Sequence, residues 1–324
     1  MSTSQPLALG IDVGGTSTKM GLVNTAGEIT AFRQMPTEAT GTDPAPFLNR
    51  LYAAIDAVLG AAEADVIGLG LSMHGELDAE RRGPIIAANT PALRNLDVRG
   101  LLEARYGMRV VIHNDLIAHT LGEYYFGCGH GVRRFMCLAV GTGLGAGVLV
   151  DGKPLIIDGG NSGNTGLVIL DPDGPMDANG VKGSAEALCG VKGIERLALA
   201  RYGRAVKARD VIAAAREQQD QTAVEIMRQI GAYLGQTLAT LSVIFYPHRV
   251  ALTGGTAAAG SVLLEACGET FDVLVGDFFR DIAANTRGHF REVEIVLGEQ
   301  GGEAGILGSV VELLPIAGDQ PVSG

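Results

Sequence analysis

The chain has no tryptophan among its 324 residues, and aromatic residues of every kind make up only 5% of it. Cysteine is scarce too. Cys128, Cys137, Cys189 and Cys267 stand far apart with no CxxC pair. That argues against a disulfide framework and reads as reduced, mostly buried thiols of a cytosolic protein. No apolar run reaches the ~18 residues of a membrane-spanning helix, so no membrane partner is expected. The polar residues 1–6 contain no apolar stretch of the secretory-leader kind. Positive charge is in deficit, with 25 Lys and Arg against 36 Asp and Glu and a net charge of −11. This argues against a nucleic-acid or polyphosphate-binding surface, although a nucleotide can still bind at a local site. Glycine, by contrast, is abundant at 47 residues, and 47% of the chain is hydrophobic. A chain of this length and composition suits a two-domain α/β enzyme with many tight turns.

Two of the glycine clusters carry most of the information. Asp12-Val13-Gly14-Gly15-Thr16 separates the apolar run 7–11 from the segment 19–23. Gly141-Thr142-Gly143-Leu144-Gly145 separates residues 135–140 from 146–150. Glycine lets backbone N–H groups approach an anion closely, and threonine adds a hydroxyl donor. The same strand–turn–strand setting, met twice about a domain length apart, points to a duplicated fold that grips one phosphate chain with both turns. Asp12 adds a carboxylate able to hold Mg²⁺ through water.

The periodicity extends the duplication. Strands are predicted at 7–11, 19–23, 28–34, 66–71 and 109–112, with helices at 46–62, 96–106 and 116–126. Strands at 135–140 and 146–150 restart the pattern, and 153–155 reads as an edge. Residues 159–183 form a long loop rich in Gly, Asp, Asn and Pro. Helices follow at 184–189, 194–202, 207–216, 222–245, 259–267 and 270–284, with strands at 249–252 and 293–297 and a last helix at 303–314. The repeat is one of architecture rather than identity. Residues 1–115, with the helix of about 303–316 packing back, are expected as an N-terminal lobe. Residues 116–302 are expected as a C-terminal lobe, and 317–324 as a tail.

With the motifs set in this order, the chain resembles the ROK family of sugar kinases, within the actin–hexokinase–Hsp70 fold group. The resemblance implies a two-lobed actin-like (ribonuclease H-like) α/β fold with a duplicated mixed sheet and flanking helices. It implies a cytoplasmic, ATP- and Mg²⁺-dependent enzyme, a small-molecule sugar substrate and a homodimer. Asp12-Val13-Gly14-Gly15-Thr16 resembles the family's first phosphate motif, and Gly141, Thr142 and Gly143 lie in the second. Gly254 and Gly255, in Leu252-Thr253-Gly254-Gly255-Thr256, match the adenosine motif. His113-Asn114-Asp115, followed by Gly122-Glu123, matches the Asn-Asp segment. Asp115 is thereby expected as the base that takes the proton of a sugar hydroxyl. That role also suits a carboxylate placed where a buried strand meets a helix. Capping of that helix is the competing structural role for Asp115. Asn114, Asn89 (in Ala88-Asn89-Thr90-Pro91), Gly75 and Glu186 are expected to contact the sugar. His74 stands where the family has proline and is a candidate substrate contact. Lys19 reads as a solvated strand lysine.

The chain departs from the family at its zinc motif. Where relatives carry Gly-His and CxCGxxGCxE, it has Gly166-Leu167 and residues 177–186. The ligand positions become Leu167, Asp177, Asn179 and Ser184, while Gly180, Gly183 and Glu186 keep the frame. Leucine cannot bind zinc, and Asn and Ser bind it poorly, so no structural zinc is expected. The neighbouring Gly-Glu-x-Gly-His segment becomes Gly163-Asn164-Thr165-Gly166-Leu167, which puts Asn164 in the place of a sugar-binding carboxylate and an alkyl group in the place of an imidazole. The sugar could then be glucose, an amino-sugar derivative or another polyol. A sugar-binding relative without catalysis is the remaining alternative. Asp12 stands too near the start for a winged helix to precede it, so a repressor is not expected.

Overall fold

The computed structural model describes residues 5–157, 160 and 162–316, so the expected tail 317–324 lies outside the described residues. In chain order the strands are β1 (Leu7–Val13), β2 (Ser17–Val23), β3 (Ile29–Pro36), β4 (Val66–Met73), β5 (Glu76–Leu77), β6 (Pro84–Ile86), β7 (Arg109–Asn114), β8 (Arg134–Val140), β9 (Leu144–Val150), β10 (Lys153–Pro154), β11 (Arg249–Thr253) and β12 (Glu294–Leu297). The helices are α1 (Ala45–Leu59), α2 (Val98–Tyr106), α3 (Asp115–Phe126), α4 (Ala185–Cys189), α5 (Val191–Tyr202), α6 (Ala208–Arg216), α7 (Gln221–Phe245), α8 (Ser261–Phe271), α9 (Asp277–Asn285) and α10 (Ala304–Ser309).

The chain divides into two units. One holds the chain up to His130, the segment from Gly152 to Ser162, and the segment from Gly302 onward. The other holds Gly131–Asp151 and Gly163–Gly301. The division falls after His130 rather than at Asp115, because α3 packs on α10 with their backbones touching. A Cβ on Gly308 would lie 1.6 Å from the Ala118 carbonyl oxygen, so no larger residue fits there.

The first unit is built on a mixed sheet in the order β3–β2–β1–β4–β7. β1 runs antiparallel to β2 and parallel to β4, and β4 runs parallel to β7. One face is covered by α1, whose Phe47, Leu51, Ile55 and Val58 are buried at helical spacing against Leu9, Ile11 and Leu71. Each such side chain contributes roughly 1.5–3 kcal/mol by leaving water. The other face is closed by Ile306, Leu307 and Val310. β5 and β6, absent from the predicted strands, form a small hairpin.

The second unit repeats the plan. β8 runs antiparallel to β9 and parallel to β11, and β11 runs parallel to β12. Its core centres on α7, where Ile226, Ile230, Leu234 and Leu238 are fully buried. Small residues at Gly231 and Gly235 let α7 lie close on the α8 backbone, within 2.7 Å of the Leu263 carbonyl and 2.6 Å of the Cys267 carbonyl for an added Cβ. The expected helix 270–284 is interrupted by a π turn at Asp272–Gly276, and the last helix closes after Ser309. All four cysteines are free and buried, and burial pushes the Cys267 thiol up to about 12. Among the described residues, no helix is long and apolar enough to cross a membrane.

Candidate active site

In the first unit, β1 ends on Asp12-Val13 and turns through Gly14, Gly15 and Thr16 into β2. The turn is closed by Gly14 N–H donating to the Ser17 carbonyl at 3.2 Å. The buried hydroxyl of Thr37 steadies it from below, donating to the Gly14 carbonyl at 2.7 Å. Asp12 Oδ1 accepts the Ser72 hydroxyl at 2.7 Å, and its Oδ2 lies 4.0 Å from His119 Nε2. Lys19 is tied to the chain, its Nζ donating to the Gly302 carbonyl at 3.2 Å.

The end of β7 carries the Asn-Asp pair. Asn114, and not Asp115, is the N-cap of α3, its Oδ1 accepting the Leu116 N–H at 3.0 Å. Its Nδ2 donates to the Gly75 carbonyl at 2.9 Å. With 3% of its surface exposed, the Asn114 amide is committed to the protein on both ends, which makes it a fastener of the Gly75 loop. Gly75 sits at φ +103°, and a Cβ there would lie 1.9 Å from the Ile86 carbonyl oxygen, so only glycine fits.

Asp115, the first residue of α3, keeps a side chain that is 30% exposed. Its Oδ1 accepts the Leu116 N–H at 3.0 Å, and its Oδ2 lies 3.1 Å from His74 Nδ1. His74 Nε2 in turn lies 3.0 Å from Asn89 Nδ2. The hydrogen bond to Asp115 raises the His74 pKa above its ordinary value. Burial opposes the rise, while the charges of Asp115 and Glu76 add to it. Gly15 approaches the same group, with an added Cβ 2.9 Å from Asn89 Cβ. The first unit therefore gathers Asp12, the first glycine turn, Gly75, Asn89, Asn114 and Asp115 at one end of its sheet.

The second unit gathers the rest. The turn at Gly141–Gly143 closes with Gly141 N–H donating to the Gly143 carbonyl at 2.9 Å, leaving Thr142 exposed. Glu186 Oε2 accepts the Leu144 N–H at 3.1 Å, and its Oε1 accepts Asn179 Nδ2 at 3.2 Å. Asn164 is exposed at the head of the short turn Thr165–Leu167. Gly254, at φ +84°, ends β11, and Gly255 opens the turn that follows.

A cavity of about 300 Å³ lies beside Gly141 and Gly255. Val191, Ala208, Ile212 and Thr256 line it, with Arg209 and Arg216 flanking. The contribution of α6 is absent from the sequence reading, although 209, 212, 213 and 216 recur at helical spacing. In the segment expected to stand in place of the zinc motif, Asp177 Oδ2 accepts the Ser184 hydroxyl at 2.6 Å, and its Oδ1 accepts the Val181 N–H at 2.9 Å. Burial works against the Asp177 charge, but the Ser184 and backbone hydrogen bonds outweigh it and hold the carboxyl below its ordinary pKa.

The ROK family profile matches residues 8–311. The chain is 29% identical over 283 residues to a glucokinase of Halalkalibacterium halodurans, covering 82% of this chain and 84% of the relative. It is 33% identical over 261 residues to an N-acetyl-D-glucosamine kinase of Aliivibrio salmonicida, covering 76% of this chain and 83% of the relative. A ROK family glucokinase from Streptomyces griseus, solved with glucose and AMPPNP, shares the fold with a TM-score of 0.76 and 27% identity, over 94% of this chain and 97% of that one. The expected actin-like architecture, with its two mixed sheets, is thus the fold of this chain. A match that runs through both units over this length places it in the ROK family, among that family's sugar kinases.

Proposed function

We propose that this protein transfers the γ-phosphoryl group of ATP to a sugar hydroxyl with Asp115 as general base. The observation that carries the reading is the junction of β7 and α3, where Asn114 is the N-cap and Asp115, which shares the Leu116 N–H, keeps a partly exposed carboxylate. A carboxylate within hydrogen-bond reach of an alcohol accepts its proton as the phosphoryl group departs. Gly14, Gly15 and Thr16 on one unit, and Gly141, Thr142 and Gly143 on the other, offer N–H and hydroxyl donors to phosphate oxygens. The cavity beside Gly141 and Gly255 takes the adenine, since its walls are apolar and its flanking arginines can lie on an aromatic face. Gly254 brings β11 to that cavity.

Asp12 fits a role toward Mg²⁺. A single half-buried carboxylate with one oxygen on Ser72 suits a cation that keeps most of its water and is held mainly by phosphates. Bound there, Mg²⁺ would offset the charge that develops on the transferred group. Gly75 and Asn89 are assigned to the sugar, with Asn114 holding their loop in place. Asn164 and Glu186 are the contributions of the second unit. The work is done in the cytosol, where ATP is supplied.

A specific observation favours an amino-sugar derivative over glucose. Leu167 is half-buried beside exposed Asn164, and an apolar side chain there suits an acetyl methyl group. The relatives include both glucokinases and N-acetyl-D-glucosamine kinases, so the choice rests on Leu167. The protein also acts as a homodimer in this reading. Val273 and Ile244 are 85% and 61% exposed on the second unit, near a groove lined by Ile169, Val243 and Leu274, and such a patch is usually covered by a partner. Sedimentation of the purified chain decides that point.

The decisive experiment is Asp115→Asn, assayed with ATP and a sugar panel by coupled ADP release. The variant should fold and bind sugar but lose kcat by about three orders of magnitude or more. Retention of a tenth of the parent rate would make Asp115 a structural residue.

A further inference from the structure

His74 occupies a position that the sequence resemblance assigns to proline, a residue with no side-chain donor or acceptor. Here the imidazole lies between two of the residues assigned to the reaction. Nδ1 is 3.1 Å from Asp115 Oδ2, and Nε2 is 3.0 Å from Asn89 Nδ2. The amide nitrogen of Asn89 can only donate, so Nε2 accepts. The ring hydrogen therefore sits on Nδ1 and is donated to the carboxylate. Asn89 lies close to the first glycine turn, where a Cβ added on Gly15 would stand 2.9 Å from the Asn89 Cβ. A continuous set of contacts runs from that turn through Asn89 and His74 to Asp115.

We propose that His74 is a positioning residue for the base: with Asn89 on one ring nitrogen, it holds the Asp115 carboxylate through the other and fixes how that carboxylate faces the acceptor hydroxyl. The proposal rests on the reading of Asp115 as the base. Without His74, Asp115 Oδ2 has no ring partner, and the carboxylate turns about a single remaining bond, that of Oδ1 to the Leu116 N–H. Small misplacements of a reacting group are costly in rate.

The charged groups that face His74 are Asp115 from α3 and Glu76 from β5, while Asn89 brings no charge. Both carboxylates favour the imidazolium. Protonation turns Nε2 into a donor, which Asn89 Nδ2 cannot satisfy, and binds the carboxylate as an ion pair. Both changes oppose acceptance of a proton from the sugar. The rate should therefore fall as pH drops through a His74 midpoint above 6.5.

The test compares the parent with His74→Ala and His74→Asn, in kcat and KM across pH with the best sugar. His74→Ala should lower kcat about tenfold to a hundredfold while the sugar KM moves less than about threefold. His74→Asn should recover part of that loss, because its amide nitrogen reaches the same carboxylate oxygen. The acid limb set by His74 should be missing from both variants. A His74→Ala kcat within about twofold of the parent, on an unchanged pH profile, overturns the proposal. A second measurement is independent of activity: NMR titration of the His74 ring in the parent and in Asp115→Asn. The midpoint should drop in the variant, and equal midpoints overturn the proposal. Full activity of Asp115→Asn would instead overturn the base assignment, while the ring titration still reports the contact.

Discussion

Glu186 holds the second glycine turn: its Oε2 accepts the N–H of Leu144 at 3.1 Å and lies 2.7 Å from where a Cβ on Gly143 would stand. A residue expected from the sequence resemblance to serve the sugar is therefore also built into the turn assigned to phosphate.

Glu186→Ala removes that support and leaves the Leu144 N–H without its carboxylate. The KM for ATP should rise by about tenfold, the scale of one hydrogen bond to a charged group. Glu186→Gln keeps an oxygen for Leu144 but cannot accept from Asn179 with its other end, so it should fall between parent and alanine variant. Steady-state kinetics with ATP varied checks the order. Two variants with parental ATP kinetics would show that the turn stands without Glu186.

Gly254 and Gly255 are neighbours in sequence with opposite constraints. Gly254 lies at φ +84° with its Cβ position 2.3 Å from the Val140 carbonyl oxygen, whereas Gly255 has open space around it. Gly254→Ala should destabilise the fold by roughly 1–3 kcal/mol. Gly255→Ala should leave thermal stability alone and raise the KM for ATP by placing a methyl at the rim of the cavity. Unchanged ATP kinetics in a stable Gly255→Ala variant would remove that cavity from the nucleotide reading.

Much of this arrangement is legible in the sequence because it is written locally. The apolar runs around Gly14 and Gly143 specify hairpins, and the pattern from Ala223 to Leu241 specifies a long buried helix. What is not legible depends on contacts distant in the chain. The β5–β6 hairpin is too short to show a period. The helical pattern expected over 270–284 gives no sign of a break, and only the structure shows the π turn at Asp272–Gly276. Four of the six residues of α10 (Ala304, Gly305, Gly308 and Ser309) are small or turn-forming, so its end is set by packing on α3 rather than by its own pattern. His74 and Asp115 are 41 positions apart, and no spacing rule brings them to 3.1 Å. The same holds for the face of α6 that meets Gly141.

The loop 177–186, expected to stand in place of the family's zinc motif, is fastened by its own polar groups. Asp177 accepts from Ser184, Asn179 and Val181. The purified protein should contain no stoichiometric zinc, and EDTA should leave its Tm unchanged. Elemental analysis settles the matter, and one zinc per chain would mean that other side chains have been recruited.

His113 gives the fold an acid-sensitive element. It is 1% exposed at the end of β7. Burial pushes its pKa down to about 4, with Glu312 pulling it up and Arg81 pushing it down. The unfolded chain takes a proton there near 6.5, and the folded chain only near 4. Between those values the unfolded state binds more protons, so stability falls as pH falls. The loss from this group is on the order of 3 kcal/mol, complete once pH reaches the folded pKa. Urea unfolding of the parent and of His113→Gln from neutral to acid pH should give a shallower dependence in the variant. Parallel curves would assign the acid sensitivity to other groups.

Substrate choice is the sharpest question for the second unit, and the backbone there allows a clean exchange. The turn carrying Asn164 and Leu167 is anchored by contacts of the protein itself. The Thr165 hydroxyl oxygen accepts the Ala146 N–H at 2.7 Å, and a Cβ on Gly166 would lie 2.0 Å from the Leu144 carbonyl oxygen. Side chains at 164 and 167 can therefore change while the turn keeps its place on β9. The parent should phosphorylate an N-acetylated amino sugar with a higher kcat/KM than glucose, since Leu167 offers contact to a methyl and no partner to a hydroxyl. The double variant Asn164→Glu with Leu167→His returns a carboxylate and an imidazole. It should shift the ratio toward glucose by about tenfold or more, the value of one recovered hydrogen bond in a site that otherwise leaves a polar group unmatched. A parent that prefers glucose over every other sugar would mean that Leu167 only packs. In that case Asn89, Asp115 and Glu186 suffice for recognition.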